Sequence, residues 1–134
     1  MSGIEPRITR NYHGWSAGIF ANSIVVDGPN RLLLMSGIGA EDEEDGHIHH
    51  VGDIAAQADM CFDKLGRLLT SHGATFANVV KMTAYVTDPD FREPYSHSRL
   101  RAFGAHPLST HTFVVVSRLA WPDMLVEIDA TAVL

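Results

Sequence analysis

The stretch NVVKMTAYVT, residues 78–87, decides the fold class of this chain. Its side chains alternate between an apolar set and a more polar set, which is the period of a β-strand with one buried face. The stretch MLVEIDATAV, residues 124–133, alternates in the same way and places acids on its polar side. The sequence therefore predicts two strands that share a core. The apolar set of the first stretch is Val80, Met82, Ala84 and Val86, and the other set is Lys81, Thr83 and Tyr85.

Two segments carry helical signals. Residues 52–72 repeat apolar side chains every three or four positions, which makes one apolar stripe, and Gly73 is a typical helix stop. Residues 90–104 are predicted to form a second, shorter helix. The stripe of the first helix consists of Ile54, Ala58, Cys61, Phe62, Leu65, Leu68 and Leu69.

Three further strands are predicted, over residues 18–26, 31–38 and 110–118. The turn Asp27-Gly28-Pro29-Asn30 separates the first two, and Asp-Gly between apolar runs predicts a hairpin. The order ββαβαββ predicts a single α+β domain over residues 1–134, with a mixed sheet and both helices on one face. Residues 1–14 are interpreted as an N-terminal arm, and residues 39–50 as a loop. Two helices cover only one face of such a sheet, so we expect other subunits to cover the second.

Composition excludes several function classes. The 134 residues carry a net charge of −6, and the basic side chains are scattered, so nucleic-acid binding has little electrostatic support. No apolar run approaches the ~18 residues that span a bilayer, and no secretory signal is visible, so no membrane partner is predicted. The single cysteine, Cys61, lies in the helical stripe, which is typical of a core residue in a reducing compartment and favours the cytoplasm.

Four stretches, in order, resemble motifs of the RidA family of reactive-intermediate deaminases, also called YjgF. Residues 78–88 resemble its VVKTTVYVTD strand, and residues 126–130 resemble its C-terminal VEIEA signature. Ser36-Gly37 resembles the SGQ end of its second strand, and residues 53–58 resemble the DIEAQT start of its first helix. The resemblance covers residues 15–133 and identifies the chain as a member of this family.

The resemblance implies a chorismate-mutase-like α+β fold and a homotrimer, in which the sheets line a central barrel and clefts lie between subunits. In the best-known branch it also implies hydrolysis of reactive enamines and imines to ketones and ammonia. It implies no metal and no cofactor.

The chain departs from the family at one position. Active members carry an arginine in a P-x-R-[ST] motif, and its planar fork pairs with a substrate carboxylate. The corresponding stretch here, residues 106–112, reads HPLSTHT. Counting forward from Asp90 puts Ser109 in the arginine's place, whereas counting backward from Glu127 puts His111 there. Both assignments stay open, and neither supplies an arginine.

The resemblance assigns Glu127 to positioning or activating the attacking water and the Gly37 backbone to ligand contact. A glutamate on a half-buried strand can do general acid/base chemistry if burial raises its pKa, although an inter-subunit ion pair is the other interpretation. A protonated His111 would hold a carboxylate, and Ser109 and Thr110 would donate hydrogen bonds.

Two aromatic residues complete the predicted site. Phe20 falls where many members carry a cleft tyrosine or serine, so it forms either a pocket wall or part of the core. Tyr95 aligns with a family asparagine that touches ligand, with an exposed helix residue as the alternative. Asp129 is interpreted as structural.

The segment GHIHH places His47, His49 and His50 close together, and such imidazoles bind divalent metals. No companion carboxylate or cysteine pattern completes a site, so no metal site is predicted. The preceding acidic run, residues 41–45, is interpreted as a solvated loop.

These observations favour a RidA-like hydrolase or deaminase that acts on a small enamine, imine or related nitrogen compound, with an aminomuconate-type deaminase as one version. The alternative is a non-catalytic, small-molecule-binding trimer of the same fold.

Overall fold

A computed structural model describes residues 7–28 and 31–134. The predicted arm contributes a strand, β1, that the sequence analysis did not recognise. The rest of the arm before residue 7, and Pro29-Asn30 of the predicted turn, lie outside the described residues. The longer elements are β1 (Arg7–Asn11), β2 (Ser23–Asp27), β3 (Leu32–Leu34), α1 (Ile54–Ser71), β4 (Val79–Val86), α2 (Arg92–Phe103), β5 (Thr110–Val115) and β6 (Val126–Val133).

The main sheet has four strands in the order β3-β6-β4-β5. β4 runs parallel to β5, whereas β6 runs antiparallel to both β3 and β4, so the predicted mixed sheet is confirmed. Within the central pair, Tyr85 lies opposite Glu127 and Thr83 lies opposite Asp129. The polar sides of the two strands found in the sequence therefore share one face of the sheet.

The predicted hairpin between residues 18–26 and 31–38 is wrong. β2 pairs with β1 in a separate two-stranded sheet, and β3 pairs with β6 instead. β3 is only three residues long, and Leu33 packs against the core beside Ala132 of β6. That long-range contact outweighs the local turn signal, so the segment at Asp27-Gly28 connects two sheets.

Both helices cover the same face of the main sheet, as predicted. α1 begins at Asp53, whose carboxylate accepts a hydrogen bond from the Ala56 amide at 3.0 Å, a typical N-cap. The ring centroids of Phe62 on α1 and Tyr95 on α2 are 5.7 Å apart. Cys61 is fully buried in this layer, and burial raises the pKa of its thiol to about 12. None of the helices in the described ranges is long and apolar enough to cross a membrane.

The second face of the sheet, which we call the open face, is not covered by any helix of residues 7–28 and 31–134. On β3, Leu32 and Leu34 are 60% and 73% exposed, although leucine side chains gain about 1.5–3 kcal/mol from burial. Glu127 and Asp129 of β6 project from the same face and are half-buried. The face thus combines exposed leucines with acidic groups.

Gln57 joins the start of α1 to the segment that leads into β6. The side chain is fully buried, and its amide nitrogen donates to the carbonyls of His50 (3.2 Å) and Asp123 (3.0 Å). Its amide oxygen accepts from the Leu125 backbone N–H at 3.0 Å. One side chain therefore satisfies three backbone groups and fixes the entry into the strand that carries Glu127.

We expect Gln57→Leu to lower the free energy of unfolding by about 2–4 kcal/mol, because it leaves those buried backbone groups without partners. Denaturant titration measures the change. Thr70→Ala, on the exposed side of the same helix, serves as the control and should change stability by less than about 0.5 kcal/mol. Equal effects of the two substitutions would show that the Gln57 hydrogen bonds do not support the fold.

Candidate functional site

Gly37 and Glu127 lie in direct contact on the open face. The next residue, Ile38, exchanges backbone hydrogen bonds with Ile128 at 2.7 and 2.9 Å, which brings the chain around Gly37 alongside β6. A Cβ atom on Gly37 would lie 2.9 Å from Cδ of Glu127 and closer still to its Oε1. A side chain at position 37 would force the Glu127 carboxyl group to move, so the structure brings together two of the predicted site residues.

The surroundings of Glu127 make its carboxyl group a weaker acid than an ordinary glutamate. Partial burial raises its pKa above the ordinary glutamate value, and the charges of Glu41 and Asp129 add to the effect. Tyr85, opposite Glu127 in the sheet, donates its hydroxyl to Asp129 at 3.3 Å. A carboxyl group whose pKa is raised toward neutrality can both accept and return a proton, which general acid/base chemistry requires.

His111 does not share this face. It lies beside the buried Met82 in the sheet, and its Nε2 is 2.7 Å from the hydroxyl of Tyr95. Burial, with the nearby charge of Arg99, lowers the pKa of His111 to about 3, so the imidazole is neutral at physiological pH. The protonated state that His111 would need to hold a carboxylate is therefore disfavoured in this chain. Tyr95 is 1% exposed, so the alternative of an exposed helix residue is wrong.

Arg99 is the cation that the sequence analysis overlooked. It follows Tyr95 by one helical turn, is 2% exposed, and donates from Nη2 to the Ile19 carbonyl at 2.7 Å. Within the described residues, its Nε and Nη1 have no hydrogen-bond partner, and neither does the buried Ser109 hydroxyl. The Ser109 carbonyl accepts from the Ala21 N–H at 2.9 Å. An arginine on a polar helix usually lies in solvent, so no sequence signal distinguished this one.

Thr110 and Phe20 have less direct contact with the candidate site residues. The Thr110 hydroxyl donates to the Val80 carbonyl at 2.7 Å, so its proton already has an acceptor. Phe20 is half-buried, with its ring edge-on to Trp15 at a centroid distance of 6.0 Å. Phe20 precedes Ala21, which is bonded to Ser109, so the 14–22 loop lies against the start of β5.

Six of the seven predicted site residues, all except Thr110, thus form two groups within one chain. The first group, on the open face, contains Gly37 and Glu127. The second lies between the sheet and α2 and contains Tyr95, Ser109 and His111, with Phe20 at its edge. Because the sheet separates the groups, one chain alone does not bring a single small molecule into contact with both.

The loop of residues 39–50 contains a carboxylate beside its histidines, contrary to the prediction that none completes a metal site. One ligand atom from each of Asp42, His47 and His49 lies within 4.8 Å of the others. The sequence analysis treated residues 41–45 only as a solvated run, and Asp42 reaches the histidines because the loop folds back on itself.

The chain combines this strand order, two helices on one sheet face and an acidic residue beside a strand-end glycine. Together these features define a class of α+β protein, which comparison with known families identifies. The family model described as endoribonuclease L-PSP matches residues 16–134, so the chain belongs to that family. The comparison with curated proteins found no match.

Solved structures agree with this assignment. A protein of unknown function of the conserved Rid family, YyfB from Yersinia pestis, is 25% identical, with a TM-score of 0.84 over 98% of this chain and 100% of that one. A member of the YjgF/YER057c/UK114 family from Mycobacterium tuberculosis is 26% identical, with a TM-score of 0.61 over 96% and 100%. TdcF from E. coli, solved with bound serine, shares the fold at 24% identity, with a TM-score of 0.69 over 81% and 90%. The predicted RidA-type family and fold are therefore confirmed.

The raised pKa of Glu127 makes a prediction for stability against pH. Ionising a carboxyl group whose folded-state pKa is raised costs more in the folded than in the unfolded state. The quantity to follow is the unfolding free energy of the wild type minus that of Glu127→Gln. We expect this difference to fall as pH rises from the ordinary glutamate pKa to the raised pKa of Glu127. It should stay level above that window. Urea titrations of both proteins across pH 3–8 give the difference.

The companion variant Asp129→Asn removes one of the repelling charges, so the same transition should shift toward lower pH. A difference that rises with pH would show that Glu127 is instead stabilised as a carboxylate, as in an ion pair.

Proposed function

We propose that this protein is a RidA-like hydrolase that deaminates a small enamine or imine, with the attacking water oriented by Glu127. The observation that carries the proposal is the Glu127–Gly37 contact on the open face, where burial and neighbouring carboxylates raise the pKa of Glu127. In the other interpretation, an inter-subunit ion pair, the opposite charge of the partner would instead lower the pKa of Glu127, because it favours the ionised form.

The chemistry needs one group that moves protons. The Glu127 carboxylate accepts a proton from water as the water oxygen bonds to the imine carbon, and it passes that proton to the nitrogen to give a neutral carbinolamine. Glu127 then accepts the carbinolamine hydroxyl proton and delivers it to the amino group as the C–N bond breaks. The ketone and ammonia leave, and Glu127 is again a carboxylate. One imine and one water give one ketone and one ammonia, so neither metal nor redox cofactor enters the balance.

A second subunit completes the site in this proposal. The two groups of site residues lie on opposite sides of one sheet, whereas the homotrimer implied by the family resemblance has clefts between subunits. Exposed Leu32 and Leu34 supply apolar area for such contacts. The open face of one subunit then meets the Phe20 and Ser109 edge of the next.

Arg99 is the group we assign to an anionic part of the substrate. It is the buried cation nearest the place of the missing family arginine, and its Nε and Nη1 have no hydrogen-bond partner within the described residues. A buried guanidinium is costly without an anion. The third nitrogen, Nη2, is held by the Ile19 carbonyl at 2.7 Å. The neutral His111 and the Ser109 hydroxyl would add polar contacts without charge.

The second candidate is a non-catalytic small-molecule-binding trimer. It is favoured by the hydrogen bond that joins His111 to Tyr95, because this pair replaces a ligand-facing arginine with a closed polar contact. TdcF, with its bound serine, shows that the fold can hold an amino acid. The family description names an endoribonuclease, but a net charge of −6 opposes the approach of RNA phosphates.

The primary test is ammonia release from 2-iminopropionate, generated in the assay, by the wild type, Glu127→Ala and Asp129→Ala. We expect Glu127→Ala to lower turnover by about 10²- to 10⁴-fold, as loss of a general acid/base does, and Asp129→Ala to retain most of it. If the wild type does not accelerate ammonia release above buffer, either from 2-iminopropionate or from ring-cleavage enamines, the hydrolase proposal fails. The non-catalytic binding trimer then remains.

A separate measurement addresses Arg99. Pyruvate, the product of that reaction, should raise the melting temperature of the wild type and of Ser109→Ala, but not of Arg99→Met. The neutral side chain of Met removes the charge while filling a similar volume. Equal shifts in the wild type and Arg99→Met would remove Arg99 from the site without affecting the role of Glu127.

The assembly is tested by light scattering coupled to size exclusion. The wild type should run at three times the chain mass of 14.7 kDa. Leu34→Lys places a charge on the proposed contact face and should shift the protein toward the monomer. Val51→Lys changes an exposed apolar residue in the loop before α1, and it should leave the oligomeric state unchanged. A monomeric wild type would contradict the shared cleft.

A further inference from the structure

We propose that Asp42, His47 and His49 form a solvent-open binding site for a divalent first-row transition metal such as Zn²⁺. The site lies in the 39–50 loop and is independent of the proposed hydrolase chemistry. One oxygen or nitrogen atom from each of the three side chains lies within 4.8 Å of the others. Ligand atoms around a four-coordinate Zn²⁺ at about 2.0–2.2 Å lie roughly 3.3–3.6 Å apart, so side-chain rotations must bring the three atoms closer together to bind one ion.

The loop backbone holds the three ligands in place. The Asp42 N–H donates to the His47 carbonyl at 2.7 Å, and the His49 N–H donates to the Ala40 carbonyl at 2.9 Å. Glu41 and Ile48 also pair as an antiparallel bridge. The loop is therefore a small folded hairpin, and residues separated by five and seven positions meet on it.

Asp42 and His47 also have orienting partners outside the three ligands. One carboxylate oxygen of Asp42, Oδ2, accepts from the backbone N–H groups of Glu44 (3.1 Å) and Asp45 (3.2 Å), and Oδ1 faces Nε2 of His49 at 2.9 Å. Nδ1 of His47 contacts the carboxylate of Asp45 at 2.5 Å. Carboxylates that hold one imidazole nitrogen while the other binds the ion are a regular feature of metal sites. The His47–Asp45 pair matches that arrangement if Nε2 of His47 is the ligand atom.

The surrounding charges leave Asp42 available to a cation. Arg67 is bound to Glu43 at 2.6 Å and to Asp63 at 3.1 Å, so its charge is already paired. Lys64 donates to the carbonyls of Gly39 and Glu41, both at 2.8 Å, and lies 3.8 Å from the Glu41 carboxylate. Neither basic side chain pairs with Asp42 in the ion pairs of the described residues.

The donor set selects the class of metal. Two imidazoles and one carboxylate suit Zn²⁺, Co²⁺, Ni²⁺ and Cu²⁺ better than Ca²⁺ or Mg²⁺, which prefer oxygen ligands only. The His47 side chain is 58% exposed and borders a surface cavity of about 690 Å³, so water or a small anion can fill the remaining coordination positions. Such an open position distinguishes this site from a closed structural one.

The test uses untagged protein, stripped with a chelator and titrated with ZnCl₂ by calorimetry and with CoCl₂ by visible absorption. We expect one ion per chain. Asp42→Asn, His47→Ala and His49→Ala should each weaken the binding by at least about tenfold. His50→Ala and His72→Ala are the matched controls, since they remove histidines that lie outside the cluster, and they should leave the binding unchanged.

Trp121 borders the same cavity and gives a second signal. In a Trp15→Phe background, binding of Ni²⁺ or Cu²⁺ should quench the remaining tryptophan fluorescence, which comes from Trp121. His49→Ala should abolish the part of this quenching that saturates with metal concentration. Melting temperatures in chelator, equal for all variants, would show that no variant fails by unfolding. Loss of binding in the His50 or His72 variants, or retention of full affinity in the three ligand variants, would overturn the site.

Discussion

The antiparallel pairing of β4 with β6 determines which side chains enter the core and which face outward. Its register puts Met82 beside Ala130 and Ala84 beside Ile128, all of them buried under the helices. The same register necessarily sends Glu127 and Asp129 to the other face, because neighbouring residues of a strand point to opposite sides. A shift of one residue would bury both acids and expose the core, so core packing and the candidate site depend on one alignment.

The elements predicted best from sequence are those with a strong local period. Residues 78–87 and 124–133 alternate cleanly, and the stripe of residues 54–69 is regular, so their structures follow from their own composition. β1 was missed because Ile8 is the one large apolar residue in a run otherwise made of arginine, threonine and asparagine. The pairing of β3 was missed because its partner lies about a hundred residues further along the chain.

The site was harder to predict for a related reason. Ser109 and His111 are two positions apart, so an extended chain points them to the same side, but the sequence does not reveal that this side faces α2. The contact between Gly37 and Glu127 was reachable through family motifs alone, since nothing local links residues 90 positions apart. The burial of Arg99 and the approach of Asp42 to His49 depend on how the helix and the loop pack, and those contacts leave no periodic signal.

The buried thiol of Cys61 has a consequence for how this protein is handled. Its sulfur is enclosed between α1 and the sheet, and its pKa of about 12 leaves almost no thiolate at neutral pH. Only the thiolate attacks alkylating reagents or disulfides. The single cysteine is therefore unreactive toward oxidants and thiol-labelling reagents while the helices pack against the sheet. It becomes reactive when the helices separate from the sheet. The rate at which Cys61 is modified therefore reports how readily the core opens.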